Sequence, residues 1–223
     1  KAQSEYFLAD QQLQAAADSI DPTRAAAWPH PGITGDTVWM GAVDSGGRAV
    51  SFIQSIYWEY GAGVVLPQSG VLMQNRGMSF GLEASHPQAL SPGRRPLHTL
   101  NPAMACFDDG RQMVYGSMGG EGQPQTQAVI FSRYADFGIP LQETVTAPRW
   151  LLGRTWGNES SSLKLESRFA PELISQLREA GHAVEMVADF DEMMGHAGAI
   201  LRHPDGLLEG ATDPRSDGAV TAD

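Results

Sequence analysis

The sequence predicts an α+β fold in which strands run in hairpins and helices are segregated after them. Three observations carry that expectation. A strand–turn–strand pattern occupies residues 37–57, apolar spacing stretches to three and four residues at 125–134 and 141–147, and Gly and Pro punctuate the chain throughout. With 25 Gly and 14 Pro in 223 residues, tight turns are frequent, and a coiled coil or a disordered chain is a poor match.

Residues 5–26 read as a helix, because Tyr6, Phe7, Leu8, Leu13, Ala16, Ala17 and Ile20 recur near helical spacing. Asp21-Pro22 interrupts it, and the proline-bearing stretch 28–32 reads as a linker. A first strand follows at 37–43, then the turn Asp44-Ser45-Gly46-Gly47 and a second strand at 48–57. In that second strand Ala49, Ser51, Ile53, Ser55 and Tyr57 share one face. Further strands are predicted at 70–74, 103–107 and 112–117, and helices at 125–134 and 141–147. Pro171 opens a helix over 171–180 that Gly181 ends. Closing strands are predicted at 182–187 and 198–203, the second running into the turn Pro204-Asp205-Gly206.

Net charge is −11 with no Lys/Arg cluster, so no nucleic-acid partner is expected. Cys106 stands alone, which rules out an intrachain disulfide and reads as a small buried side chain. No apolar run is long enough to span a membrane, and the opening KAQSEYFLAD lacks a signal-peptide core. That opening does not look like a native start, so the segment leaves the address of a longer product open. Around His196 no second His or carboxylate stands at metal-ligand spacing, so it reads as a structural residue, with a place in the lining of a site as the alternative, and no metal or cofactor is expected. Arg215 in Asp213-Pro214-Arg215 reads as half of a structural ion pair. The run Gly119-Gly120-Glu121-Gly122 lacks the Lys-Ser/Thr of a nucleotide loop.

Gly35-Asp36-Thr37 opens the first strand. A threonine freed at such a position can use its own α-amine as the base that activates its hydroxyl for acyl transfer. On its own, the tripeptide is more often a turn. The longer stretch GDTVWMGAVDSGGRAVSFIQSIYWEYGAGVVLPQSGVLMQNRGMSF resembles the start of the small subunit of gamma-glutamyltransferases. The likeness continues through SPGRRPLHTLNPAM, VYGSMGGEGQPQT, TAPRW and GLLEGATDPRSDGA, and covers essentially all of residues 35–219.

That resemblance implies a four-layer αββα sandwich of the N-terminal-nucleophile hydrolases, of which this chain supplies the nucleophile-bearing half. It implies a precursor cut autocatalytically between Asp36 and Thr37. Residues 1–36 would then be the tail of a large subunit and 37–223 the small, catalytic one, the two assembling as a dimer of heterodimers. If the chain is continuous as written, Thr37 is preceded by Asp36 and lacks its free amine, so the chain reads as a precursor-like or partial form. Thr37 is implied as the nucleophile, Ser55 as the hydroxyl bonded to it, and Gly119 and Gly120 as the oxyanion loop. Thr99 matches one of two hydroxyl residues that hold the substrate carboxylate.

The departures narrow the substrate. Glutamyl-transferring members carry Asn-Asn-Gln-Met-Asp-Asp-Phe where this chain has Gln74 to Phe80, so Arg76 replaces the Gln and Ser79 the acidic residue that bind an α-ammonium group. His98 stands for the first carboxylate-binding Ser, and Tyr57 where many members have Asn. An Arg repels an ammonium but pairs with a carboxylate in a bidentate fork. The expected substrate is therefore a small carboxylate-bearing amide, and the same segments look like the oxamate-hydrolysing branch. The alternatives are a gamma-glutamyl hydrolase or transferase, with neutral drift in the pocket, and an inactive binding protein. A cytoplasmic location is what the oxamate branch implies.

Overall fold

A computed structural model of the chain describes Gln14, Asp18 and residues 37–153 and 160–222. The chain divides into two units, Lys1–Thr34 and Gly35–Asp223. In the first, Gln14 and Asp18 are helical, and Gln14 Nε2 donates to Asp18 Oδ1 at 2.7 Å. The remainder of the helix predicted over 5–26, the linker 28–32 and the cleavage residue Asp36 lie outside the described residues.

The second unit opens with a hairpin of β1 (Thr37–Val43) and β2 (Ala49–Ser55), in which Thr37 faces Ser55 and Val43 faces Ala49. Asp44 shapes the turn. Its carbonyl accepts Gly47 N–H at 2.9 Å and its carboxylate accepts Arg48 N–H at 2.9 Å. The period-2 pattern puts Thr37, Trp39, Ser51, Ile53 and Ser55 inward, while Val38, Met40, Val50 and Phe52 stay exposed.

Downstream come β3 (Ala103–Cys106), β4 (Gln112–Met118), helices α1 (Gln123–Ala135) and α2 (Leu141–Thr146), and strands β5 (Trp150–Leu152) and β6 (Leu163–Glu166). Helix α3 (Pro171–Glu179), β7 (Val184–Val187), β8 (His196–Arg202) and β9 (Leu208–Thr212) complete the unit. The main sheet is antiparallel in the order β3-β4-β8-β9. One of its faces carries Met113, Ala199 and Leu201 into a core with Ile130 of α1 and Leu141 and Val145 of α2. The opposite face receives the hairpin. A smaller sheet, β5-β6-β7, pairs β6 and β7 in parallel with α3 between them in sequence. Among the described residues no helix is long and apolar enough to cross a membrane.

Most predicted elements occur with their ends shifted by at most two residues. Three expectations are corrected. Residues 70–74 form no strand: Val65 and Leu72 make one isolated bridge in a tight loop, because Pro67 has no N–H to donate and Gly70 N–H turns back to Leu66 O at 2.8 Å. The second strand stops at Ser55 rather than Tyr57, because Ser55 Oγ captures the Tyr57 N–H at 2.9 Å and Tyr57 takes φ 80°. Cys106, expected buried, is exposed because it falls on an outward position of the edge strand β3. Strands β5, β6 and β9 were not anticipated.

Candidate active site

The hairpin brings two hydroxyls together. Thr37 and Ser55 are cross-strand partners at its open end, and their Oγ atoms lie 2.7 Å apart. Ser55 Oγ also accepts the Tyr57 N–H, so one of its lone pairs is occupied and its proton can be directed at Thr37.

Trp39, two residues along the same face, sets how the hairpin sits on the main sheet. Its indole lies across Gly116 and Gly198, which are paired between β4 and β8; a β-carbon on either would come within 2.4 Å of the ring. Trp39 Nε1 donates to Ser51 Oγ at 2.9 Å, and Ser51 Oγ donates to Tyr115 O at 3.1 Å. Farther toward the turn, Gly41 lies against Ile200 and Gly47 against Arg202. Thr37, on the other side of Trp39, is consequently directed to the end of the sheet formed by Met118 and His196.

At that end β4 runs into Gly119 (φ 141°) and Gly120 (φ 48°), both in a region that bulky L-residues avoid. Gly122 N–H closes the turn on Gly119 O at 2.8 Å, and α1 begins at Gln123, with its positive dipole end at this loop. His196 lies in the β4–β8 ladder opposite Met118, and its Nε2 is buried with no hydrogen-bond partner among the described residues. Burial, reinforced by the charges of Arg149 and Arg215 against the pull of Asp213 and Asp217, holds its pKa below the ordinary histidine value.

Beside Ser55 opens a cavity of about 330 Å³ lined by Tyr57, Gln74, Arg76, Arg95 and His98 among others. Arg76, on the 3-10 turn Arg76–Ser79, is only 3% exposed, and its Cζ lies 3.7 Å from the Tyr57 ring centroid. His98 Nδ1 accepts the Leu100 N–H at 3.2 Å, which leaves Nε2 to carry the proton of the neutral ring. Burial first and the Arg76 charge second lower the His98 pKa. No Asp or Glu is among the described residues lining this cavity, so its charge is positive. Ser79 shares the Arg76 turn without lining the cavity. Thr99 Oγ1 is buried with no hydrogen-bond partner among the described residues. Arg95 was missed in the sequence, where the doubled Arg of SPGRRPLHTL does not tell which of the two lines a cavity. No group of three His, Cys, Asp or Glu side chains suited to a metal occurs among the described residues.

Behind the site a buried ion network braces the start of β8. Asp213 pairs with Arg149 and, at 3.0 Å, with Arg215, and it accepts the Ala197 N–H at 2.7 Å. Arg149 Nη2 reaches Gly195 O at 2.6 Å, while Arg215 bridges to Glu166 at 2.5 and 2.7 Å. Burial lowers the Arg149 pKa to about 10.

A two-stranded layer stacked on a four-stranded sheet with helices behind is the α+β half-sandwich of the N-terminal-nucleophile hydrolase fold. The chain belongs to the gamma-glutamyltranspeptidase family, whose family model matches residues 1–223. It is 64% identical over 214 residues, 96% of its length, to an oxamate amidohydrolase proenzyme of Klebsiella pneumoniae subsp. pneumoniae. To the glutathione hydrolase-like YwrD proenzyme of Bacillus subtilis it is 46% identical over 185 residues, 83% of its length. The chain spans 40% and 35% of those two relatives. The solved structure of cephalosporin acylase from Bacillus halodurans matches 97% of this chain and 39% of its own, with TM-score 0.69 and 34% identity.

Proposed function

We propose that this chain carries the nucleophile of an autoprocessing amidohydrolase that cleaves a small carboxylate-bearing amide, with oxamate the favoured substrate. The observation that carries the reading is the Thr37–Ser55 hydroxyl pair beside a cavity lined by Arg76, Arg95 and His98. The name and 64% identity of the Klebsiella relative support the substrate.

In the precursor, Thr37 Oγ attacks the Asp36 carbonyl, and hydrolysis of the resulting ester frees the Thr37 amine. In the mature enzyme that amine takes the hydroxyl proton as Oγ adds to the substrate amide carbon. Backbone N–H groups of Gly119 and Gly120 receive the oxyanion, each such donor contributing about 3 kcal/mol. Ammonia leaves, and water then releases the acid from acyl-Thr37. Arg76 pairs with the substrate carboxylate, with His98 and Thr99 supplying polar contacts, while Ser79 stays on the Arg76 turn outside the cavity lining. With its pKa lowered, His98 is neutral at pH 7 and donates through Nε2.

Residues 1–36 are the end of the large subunit and 37–223 the small subunit in this reading. The remainder of the large subunit covers the outer hairpin face, where Val38, Met40, Val50 and Phe52 are 42–54% exposed. Two such pairs form the assembly, which is placed in the cytoplasm.

Ammonia release from oxamate, measured beside anilide release from a gamma-glutamyl anilide with the processed enzyme, tests the proposal. Turnover of oxamate with a silent anilide is expected. The reverse result transfers the protein to glutathione-type chemistry, the activity named for the Bacillus relative. Intact mass supplies the other arm: the full-length precursor splits before Thr37, and its Thr37→Ala variant stays whole. A wild type that stays whole in neutral buffer would point instead to an inactive binding protein.

A further inference from the structure

We infer that Tyr57 is a specificity-determining residue: its ring is the platform that presents the Arg76 guanidinium to the substrate carboxylate. Its backbone N–H also ties that receptor to the nucleophile pair. The inference rests on the reading that this cavity takes the carboxylate of an amide.

Tyr57 sits at φ 80°, a conformation unfavourable for a bulky side chain, and such outliers persist where surrounding bonds enforce them. Three bonds do so here. Tyr57 N–H donates to Ser55 Oγ at 2.9 Å, Trp58 N–H to Asn75 Oδ1 at 3.0 Å, and Asn75 N–H to Ile56 O at 3.1 Å. The last two clip residues 56–58 to the segment that leads into Arg76. Had β2 continued in regular alternation, Tyr57 would have extended the inward row of Ser51, Ile53 and Ser55. The left-handed turn instead sends its ring under Arg76, 3.7 Å from Cζ.

A guanidinium stacked on a ring is engaged through its flat face, and its N–H groups radiate from its edge, where a carboxylate is met in bidentate fashion. The ring's negative face also favours the cation in a position only 3% exposed. A lysine in place of Arg76 would lose both the stack and the fork.

The contacts on either side of Tyr57 are short. The two hydroxyls are 2.7 Å apart, Ser55 Oγ is 2.9 Å from Tyr57 N, and the ring is 3.7 Å from the guanidinium. A receptor tethered to the nucleophile through one residue selects a carboxylate close to the scissile amide. Arg95, lining the same cavity, opposes an ammonium group by its charge, and neutral His98 offers it a donor rather than an acceptor. The ligand class is the monoamide of a short dicarboxylic acid.

The test compares Tyr57→Asn, Tyr57→Phe, Arg76→Gln and the Tyr57→Asn/Arg76→Gln double variant in the processed enzyme. Asn tolerates positive φ, so Tyr57→Asn removes the ring without straining the turn, and its melting temperature should not fall. The expected result is a rise of about tenfold in KM for oxamate in Tyr57→Asn, with kcat changed much less. Tyr57→Phe recovers most of that loss, and the double variant is no worse than Arg76→Gln. An unchanged KM in Tyr57→Asn, or additive losses in the double variant, overturns the inference. A substrate-free readout separates its failure from failure of the function. The Arg76 Nε–H resonance should be ring-current shifted in wild type and Tyr57→Phe and return toward the ordinary arginine position in Tyr57→Asn. No such shift in an enzyme that turns over oxamate sinks the platform alone. A shifted resonance in an enzyme inert to oxamate and its short homologues sinks the carboxylate-amide reading, and with it the role given to Tyr57.

Discussion

Ser55 makes two hydrogen bonds that truncation would cut together, one to Thr37 Oγ1 and one from the Tyr57 N–H. Ser55→Ala is therefore expected to lower kcat by about 10- to 100-fold, in keeping with about 1.5–3 kcal/mol for a bond to a group that gains charge. Ser55→Thr, which keeps the hydroxyl, should recover most of it; turnover and the rate of precursor cleavage read the outcome. His196 gives a second prediction at this scale, on stability. Its folded pKa is lowered from 6.5, so the fold favours the neutral ring. That contribution is fully present above the unfolded value and is lost as pH falls through the lower folded one. Melting temperatures taken from pH 8 downward should drop more steeply below about pH 6.5 in wild type than in His196→Asn. Sequence chemistry and resemblance singled out Ser55, Arg76 and His98, and the structure brings these three to one cavity, with Thr37 hydrogen-bonded to Ser55. Arg95 was not legible. Arg94 is drawn to the carbonyls of Pro87 and Ala89, which leaves its neighbour to line the cavity, and no local pattern distinguishes two adjacent arginines.

Among the elements, the hairpin was readable because one of its faces packs on a sheet, so alternation survives in the sequence. Strand β6 was not, and the reason is physical. In Leu163-Lys164-Leu165-Glu166 the polar residues read as a solvated face, yet Lys164 is 7% exposed and Glu166 is 0%. Lys164 Nζ is taken up by Gly153 O at 2.6 Å and by Ser160 and Ser162, while Glu166 is taken up by Arg215 and Arg168. Apart from Arg168, those partners are distant in sequence or come from a Ser-rich stretch that reads as loop. The contact of hairpin and sheet through Trp39 leads to a prediction of its own. A methyl group at Gly198 would fall 2.4 Å from the indole, between two packed layers. Gly198→Ala should destabilise the fold by about 1–3 kcal/mol through overpacking. Because the same indole sets the height of Thr37, it should also slow precursor cleavage. Pairing it with Trp39→Phe should restore part of both in thermal melts and intact-mass time courses; a stable, fully processed Gly198→Ala would remove Trp39 from the positioning argument.

At the scale of the molecule, the distant parts of the unit meet in the ion network behind the site. Asp213 holds Arg149 and Arg215 at once and caps the Ala197 N–H, and all three charged groups are at most 7% exposed. Such a network stabilises little when compared with a well-packed apolar core, but removing one partner strands the others as uncompensated buried charges. Asp213→Asn isolates that effect, because the amide oxygen can still accept the Ala197 N–H while the charge disappears. In the uncut Thr37→Ala precursor, where the chain stays in one piece, the double change should lose about 3–5 kcal/mol by denaturant titration relative to Thr37→Ala alone. Arg149 also reaches the Gly195 carbonyl, one residue before His196, so the loss should spread to the end of the sheet that carries the candidate site. Amide exchange at Gly195–Ala197 should rise ahead of exchange in the helix-packed core strands. Equal loss of protection everywhere would make the network a brace for the whole fold and not for this end of the sheet.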